Sequence, residues 1–432
     1  MKKHRKEFVE QALPNILSNL SAPLAGLVDT AMLGHLPEID SLAGVALAGV
    51  IFSYVYWGFG FLRMGTTGLT AKARGARDQE GVADAFYRGM VLALSIAAVL
   101  LLFHRQIGQL GFYLLDGPPD VELSGRDYFQ IRILGAPAVL GLYVINGWLI
   151  GQGRPKWSLT LSILLNGANI ALDALFIYHL QWGAFGAGLA TTIASVFAFL
   201  IGLDLVRREW RDGPRFEVKR VFNKEEFRKV LVLKGDIMLR TLCLILTLTT
   251  FTNISAGFGK MPLAANAILM KLLTMASYLI DGYAFALEAI AGKCAGAGDK
   301  EGVRRTLRIA IHYSAVTSSL IIAAYLLFGR TVLGWLTSHE NVIEEAMIYL
   351  PWVCLALVFS TLSYVYDGLF IGLANGRILR NSMAVAAAVF LPLAWWSAKA
   401  QNMHYLWTSM VVFMAVRTVV LLWRSRKALN EL

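Results

Sequence analysis

Twelve long apolar runs, separated by short polar loops, take up nearly the whole chain. They fall at about 13–36, 43–70, 84–103, 129–151, 158–180 and 184–206. A second set follows at about 229–257, 263–291, 306–328, 346–372, 380–398 and 405–424. Each is long enough for a helix to cross the roughly 30 Å of a bilayer core. The pattern predicts an all-α polytopic membrane protein with twelve transmembrane helices. No extended soluble domain fits between them.

The loops orient these helices. Lys and Arg gather in the N-terminal tail (Lys2, Lys3, Arg5, Lys6), in the even loops and in the C-terminal tail (Arg424, Arg426, Lys427). The sixth loop, Arg207 to Lys229, is the most basic segment. The odd loops are poor in base and often acidic, as in Pro37-Glu38-Ile39-Asp40. Basic loops stay cytoplasmic, so both termini are expected on the cytoplasmic side of a bacterial inner membrane. The composition agrees: 56% of the 432 residues are hydrophobic, and mean hydropathy is +0.56. The net charge of +11 therefore reads as topology rather than as a nucleic-acid surface. Cys243, Cys294 and Cys354 are far apart, and the seven histidines show no metal-ligand spacing. The basic start MKKHRKEF is followed by no cleavage site, so the first span is expected to be retained.

The sixth loop also reads as a linker between halves. A shift of 221 residues aligns them without gaps in several places. Lys72, Gly75, Ala76, Asp78, Glu80, Gly81 and Val82 fall on Lys293, Gly296, Ala297, Asp299, Glu301, Gly302 and Val303. Tyr143, Gly147, Ile150 and Gly151 fall on Tyr364, Gly368, Ile371 and Gly372. The domains expected are an N-terminal lobe 1–206, a cytoplasmic linker 207–228 and a C-terminal lobe 229–432. Six is even, so both lobes enter the membrane in the same direction, as parallel repeats that can rock to expose a site to either side.

Chemistry is sought where that symmetry breaks. The first span carries Asp29, at a cost of roughly 2.5–3.5 kcal/mol on insertion scales. At ~100° per residue, Asn15, Ser18 and Asp29 lie within about 60° of one another. Asp29 falls on Thr250, Asn169 on Phe390 and Asp173 on Ala394, so these acids belong to the N-terminal half alone. Asn166, Asn169 and Asp173 share a face of the fifth span; Asn146 lies on the fourth and Thr191 on the sixth. Two carboxylates with amides and a hydroxyl suit a proton or one hard cation. A polar packing network with no transported ion is the alternative.

The C-terminal half has its own intramembrane charges: Asp236, Arg240, Lys271, Asp281, Glu288 and Asp367. Asp236 and Arg240, at i and i+4, are placed to pair on one helix face. Asp281 and Glu288 share a face of the eighth span. These charges either pair internally and hold the lobe together, or line a cavity and read a cationic or zwitterionic substrate.

The stretch PNILSNLSAPLAGLVDTAMLGHL resembles the first helix of the multidrug and toxic compound extrusion (MATE) family, in its DinF branch. LKGDIMLRTL, YLIDGYAFALEAIAGKCAGAGD and YDGLFIGLANGR resemble the same branch. The resemblance covers essentially the whole chain. It implies two six-helix bundles with a V-shaped central cleft. In that family the first-helix Asp is the main coupling residue, and Asp29 matches it. Pro14 matches the proline at which that helix bends, and Asn146, Asn169, Asp173 and Thr191 match the N-lobe hydrogen-bond network. Lys271 is less typical and bears on substrate charge. Members use H⁺ or Na⁺, and DinF-type bacterial proteins resemble the proton-coupled group.

The function expected is a monomeric secondary antiporter in contact with membrane lipids. It would export small organic, often cationic or amphipathic compounds against H⁺, with Na⁺ as second choice. It would need no resident metal or cofactor and no nucleic acid. The rival is a lipid or lipid-linked-oligosaccharide flippase of related fold, against which the N-terminal membrane acids argue. A membrane-embedded enzyme lacks its motifs here: there is no HExxH and no GxSxG.

Overall fold

The computed structural model describes residues 2–34, 39–115, 117–210 and 213–431; the side chains of residues 2, 3, 22, 24–31, 33, 34 and 39–41 are outside the description. Among the described residues the chain is helical and contains no strand. The first half holds α1 (Lys2–Gly34), α2 (Ile39–Gly58), α3 (Phe61–Gly75), α4 (Gln79–Leu102), α5 (His104–Leu115), α6 (Pro119–Arg132), α7 (Ala136–Gly151), α8 (Pro155–Asp173) and α9 (Gly183–Glu209). A single turn, α10 (Val218–Val221), lies in the linker. The second half holds α11 (Lys224–Gly257), α12 (Lys260–Gly296), α13 (Lys300–Gly334), α14 (Glu340–Gly372), α15 (Gly376–Lys399) and α16 (Met403–Glu431). Ten stretches are long and apolar enough to cross a membrane, with α2–α3, α6–α7 and α8 with its following turn each counted as one. α1 and α11, of 33 and 34 residues and each with a charged N-terminal part, complete the twelve spans that the hydropathy pattern predicts.

The internal repeat is visible in atomic detail. α3 packs on α7, and α12 packs on α14. A Cβ on Gly147 would lie 2.4 Å from the Arg63 carbonyl, and one on Gly368 would lie 2.5 Å from the Ala284 carbonyl. Both pairs stand at the 221-residue offset, so each lobe joins its two central helices at the same side-chain-free crossing. The helix starts match too. Asp78 Oδ1 accepts from the Gly81 amide at 2.8 Å, and Asp299 Oδ1 accepts from the Gly302 amide at 2.7 Å. Each is an N-cap that satisfies one orphan amide of α4 or α13.

The halves differ in continuity. α12 runs unbroken, whereas its counterpart divides into α2 and α3 at Phe59–Gly60. α14 runs unbroken where α6 and α7 are joined by a 3₁₀ turn, Ile133–Gly135. α8 ends in a π-helical turn, Ala174–His179, that has no equivalent in α15.

The chain divides into two compact units, 17–231 and 1–16 with 232–432. This differs from the boundaries read from the loops, because the first sixteen residues belong with the C-terminal helices. Phe8, fully buried, stacks on Tyr283 and Tyr313 at 6.3 and 6.0 Å. Glu7 pairs with Lys293 at 3.2 Å, and Arg305 donates to His4 at 3.3 Å. The helical backbone of α1 continues through the buried Pro14, and the division falls two residues beyond it. In the N-terminal unit the core gathers on Phe52, Phe112, Phe129 and Trp148. In the C-terminal unit it gathers on Phe251, Phe390, Trp407 and Phe413. There Asn266 satisfies the Trp407 indole N–H at 2.9 Å and donates to Ser255 at 2.8 Å.

Candidate functional site

α8 places five polar side chains on one stripe: Ser158, Ser162, Asn166, Asn169 and Asp173 recur every three or four residues, which is the period of one helix face. Each is engaged. Ser158 donates to Asn146 Oδ1 on α7 at 2.8 Å. Ser162 and Ser18 of α1 share a hydrogen bond at 2.6 Å. Asn166 donates to the Ser21 hydroxyl at 3.0 Å, and Ser21 donates onward to the Ser18 carbonyl at 2.8 Å. Asn169 donates to Asp173 Oδ2 at 2.7 Å, in a place where Asp173 is only 1% exposed.

These bonds tie Ser18 and Ser21 of α1 to α8. The Asp173 carboxylate closes the stripe, and the π turn begins at the next residue. π turns widen a helix locally and recur at functional sites. Chemically the stripe offers amide and hydroxyl oxygens plus a buried carboxylate. That set can take up a proton or a small hard cation, and it holds no thiolate or imidazole.

Of the residues expected here, Asn146, Asn169 and Asp173 join one hydrogen-bonded stripe. Thr191 lies on α9, with its hydroxyl donating to the Ala187 carbonyl at 3.0 Å. Asp29 lies on α1, but its side chain is outside the described residues. Asn15 lies on the same helix, nearer its start. It is buried and donates to the Gln11 carbonyl at 2.9 Å, on the part of α1 that belongs to the C-terminal unit. Ser21, Ser158 and Ser162 were not singled out in the sequence. The signal was there, since Ser158 and Ser162 extend the Asn166–Asp173 periodicity by two turns. Among the described residues, no three or more His, Cys, Asp or Glu side chains gather as a metal site.

The C-terminal charges form a different construction. The expected pairing of Asp236 with Arg240 is corrected: both turn to other helices. Arg380 of α15 donates to Asp236 Oδ1 at 2.6 Å. Arg240 donates to Asp367 Oδ2 at 2.8 Å, and Arg417 of α16 pairs with the same oxygen. Arg417 is 1% exposed and lies over the Tyr364 ring at 5.5 Å. An i, i+4 pair would have left Asp367 with Arg417 alone and would have competed with Arg380 for Asp236, so the cross-helix solution satisfies more charge. Arg417 was missed, although a lone arginine inside MVVFMAVRTVVLLW is a visible anomaly. On α12, Glu288 is fully buried, Asp281 is half-buried and Lys271 is exposed. No salt bridge to Lys271 occurs among the described residues.

Charge also fixes the linker to the N-terminal unit. Arg88 pairs with Asp84 at 3.0 Å and donates to the carbonyls of Val221 and Arg220 at 3.0 and 2.8 Å. Arg220 donates to the other Asp84 oxygen at 2.7 Å. That bond raises the Arg220 pKa above its already high ordinary value, so the clamp keeps its cation at any working pH.

The MatE family model matches residues 14–175 and 237–396, one copy on each half. The DNA damage-inducible protein F of Escherichia coli K12 is 38% identical over 420 residues, covering 96% of this chain and 90% of that protein. The multidrug export protein MepA of Staphylococcus haemolyticus is 22% identical, over 90% of this chain and 86% of its own. Among solved structures, a MOP superfamily transporter from Pyrococcus furiosus, with a binding pocket described as of reverse polarity, superposes with a TM-score of 0.90. It is 20% identical and covers 99% of this chain and 96% of its own. An outward-facing multidrug resistance MATE transporter superposes with a TM-score of 0.89 at 21% identity, with the same coverage.

Proposed function

The chain belongs to the MatE family of multidrug and toxic compound efflux transporters, and from that premise we propose that it is a proton-coupled antiporter for organic, often cationic or amphipathic compounds. It acts as a monomer in the bacterial inner membrane, with both termini cytoplasmic, and needs no cofactor beyond the exchanged ion. The multidrug export named for the staphylococcal relatives supports the substrate class.

The observation that carries the reading is the hydrogen-bonded stripe from Asn146 to Asp173, tied to α1 through Ser18 and Ser21. In this reading Asp29 on α1 is the main coupling acid. Asn146, Asn169, Asp173 and Thr191 form the surface against which α1 shifts. Protonating an acid removes a buried charge, and hydrogen bonds that favoured the carboxylate weaken. α1 then exchanges its Ser18 and Ser21 partners, with Pro14 as the point that lacks a backbone donor and bends at low cost. Proton and substrate drive opposite changes only if each prefers a different state, and the coupling is reciprocal. The C-terminal arginines 240, 380 and 417 are spent on Asp236 and Asp367. That weighs against a flippase, which needs uncommitted cations for a pyrophosphate.

The test uses purified protein in liposomes preloaded with a fluorescent organic cation. A pH gradient without sodium is imposed first, then a sodium gradient at constant pH, on wild type and Asp29→Asn. Efflux driven by the pH gradient and lost in the variant is expected. Efflux driven by sodium alone would move the same oxygens to metal ligands, and undiminished efflux by Asp29→Asn would overturn the coupling assignment.

A further inference from the structure

A polar cavity lies in the N-terminal unit, with no residue of the α8 stripe in its lining. It measures about 630 Å³, within the range of small-ligand sites. The start of α4, the end of α7 and the end of α9 line it, together with Trp210 and Arg215. One side is aromatic: Phe86, Tyr87, Trp148 and Trp210. Trp148 meets Phe86 and Trp210 edge to face, with ring centroids 5.9 and 5.7 Å apart. The linker closes tightly over the Trp210 indole, because a Cβ on Gly213 would fall 2.0 Å from its ring.

The other side is basic: Arg207, Arg208 and Arg215, with one acid, Asp204. Asp204 is already committed to Arg208 at 2.7 Å. The neighbouring carboxylates are committed as well. Glu209 takes Arg154 at 3.3 Å and the Trp157 indole at 3.1 Å. Asp84 takes Arg88 and Arg220, and Glu217 takes Arg220. Arg207 and Arg215 are thus left with no carboxylate within ion-pair distance among the described residues.

Two uncommitted guanidiniums beside an aromatic wall recognise a particular chemistry. Arg presents a planar fork that matches phosphate oxygens in pairs. The aromatic wall accepts the apolar part of the same ligand. The charge bias of the loops places this cavity at the cytoplasmic edge of the membrane, where anionic phospholipid is at hand. Basic pockets between transmembrane helices on that side hold such headgroups.

We propose that this cavity is a headgroup site for an anionic phospholipid of the cytoplasmic leaflet. The phosphate sits between Arg207 and Arg215, and the glycerol and upper acyl chains lie on the half-buried Tyr87 and Trp210. The site is separate from the transported substrate and does not depend on the antiport reading.

The test is native mass spectrometry of the intact protein, released from detergent containing equal phosphatidylglycerol and phosphatidylcholine. Wild type should retain phosphatidylglycerol selectively. Arg207→Gln/Arg215→Gln should retain about twenty-five-fold less, given about a factor of five for each of the two basic residues near an anionic lipid. Both side chains are exposed and make no ion pair, so the variant should fold; each single change gives a milder version of the same loss. Arg377→Gln, an exposed arginine of the C-terminal unit, should retain as much as wild type. Equal retention of the two lipids by wild type, or undiminished retention by the double variant, would overturn the proposal. So would retention of inorganic phosphate or ATP with phosphatidylglycerol ignored, which would assign the cavity to a soluble phosphate.

Discussion

Asn146 and Asp367 occupy the same place in the two repeats, 221 residues apart, and hold opposite kinds of partner. Asn146 accepts from the Ser158 hydroxyl at 2.8 Å, while Asp367 receives Arg240 and Arg417 on one oxygen. One position therefore serves a neutral network in the first half and a buried ionic one in the second. The first network is built of amides and hydroxyls with one buried carboxylate, Asp173. The ionic one is built to stay as it is.

The first consequence is a division of labour between acids. Asp173→Asn keeps the shape and the bond to Asn169 but removes the titratable group. Gradient-driven efflux in proteoliposomes should fall to the level of empty vesicles, with insertion and thermal stability near wild type. Asn169→Ala should give partial loss. Normal efflux by Asp173→Asn would remove the α8 stripe from the mechanism.

Breaking the Asp367 cluster should instead act on stability. Removing one partner of a buried ion pair costs about 3–5 kcal/mol, because a charge is left uncompensated. Arg417→Met should lower the melting temperature in detergent more than Lys271→Met, since Lys271 is exposed and makes no ion pair among the described residues. Equal melting temperatures would show that Asp367 is satisfied without Arg417.

The glycine crossings should be intolerant in both halves alike. A leucine at Gly147 or Gly368 must push a backbone carbonyl that lies within 2.5 Å of the first added carbon. Overpacking of this sort costs about 1–3 kcal/mol or more. Matched losses of folded yield are expected, and a large asymmetry would mean that the repeats pack differently in the membrane.

α1 should respond in two parts. Phe8→Ala empties the space against Tyr283 and Tyr313, at about 3–5 kcal/mol for a buried aromatic. Hydrogen exchange should rise over residues 4–16, which belong to the C-terminal unit. It should stay low from Ser18 to Ser21, which are bonded to α8. Uniform exchange along the helix would contradict the division at Ile16.

The number of membrane helices and their twofold repetition were decided by sequence, and loop charge sets the direction expected of them. Hydrocarbon length, loop charge and a constant offset are local or linear properties, and no packing is needed to read them. Asn146, Asn169 and Asp173 were legible for the same reason: polar groups in apolar runs stand out, and two of them share a helix face. The partners of those groups were decided by the tertiary structure alone. Serines cost little in a membrane helix, so Ser21, Ser158 and Ser162 gave no alarm until α1 and α8 were seen to meet. Arg240 could equally have paired along its own helix, and only the arrival of α14 and α16 beside it selected Asp367 over Asp236. The allegiance of the first sixteen residues was likewise hidden, because a continuous helix carries no mark in its sequence of which bundle each half will pack against.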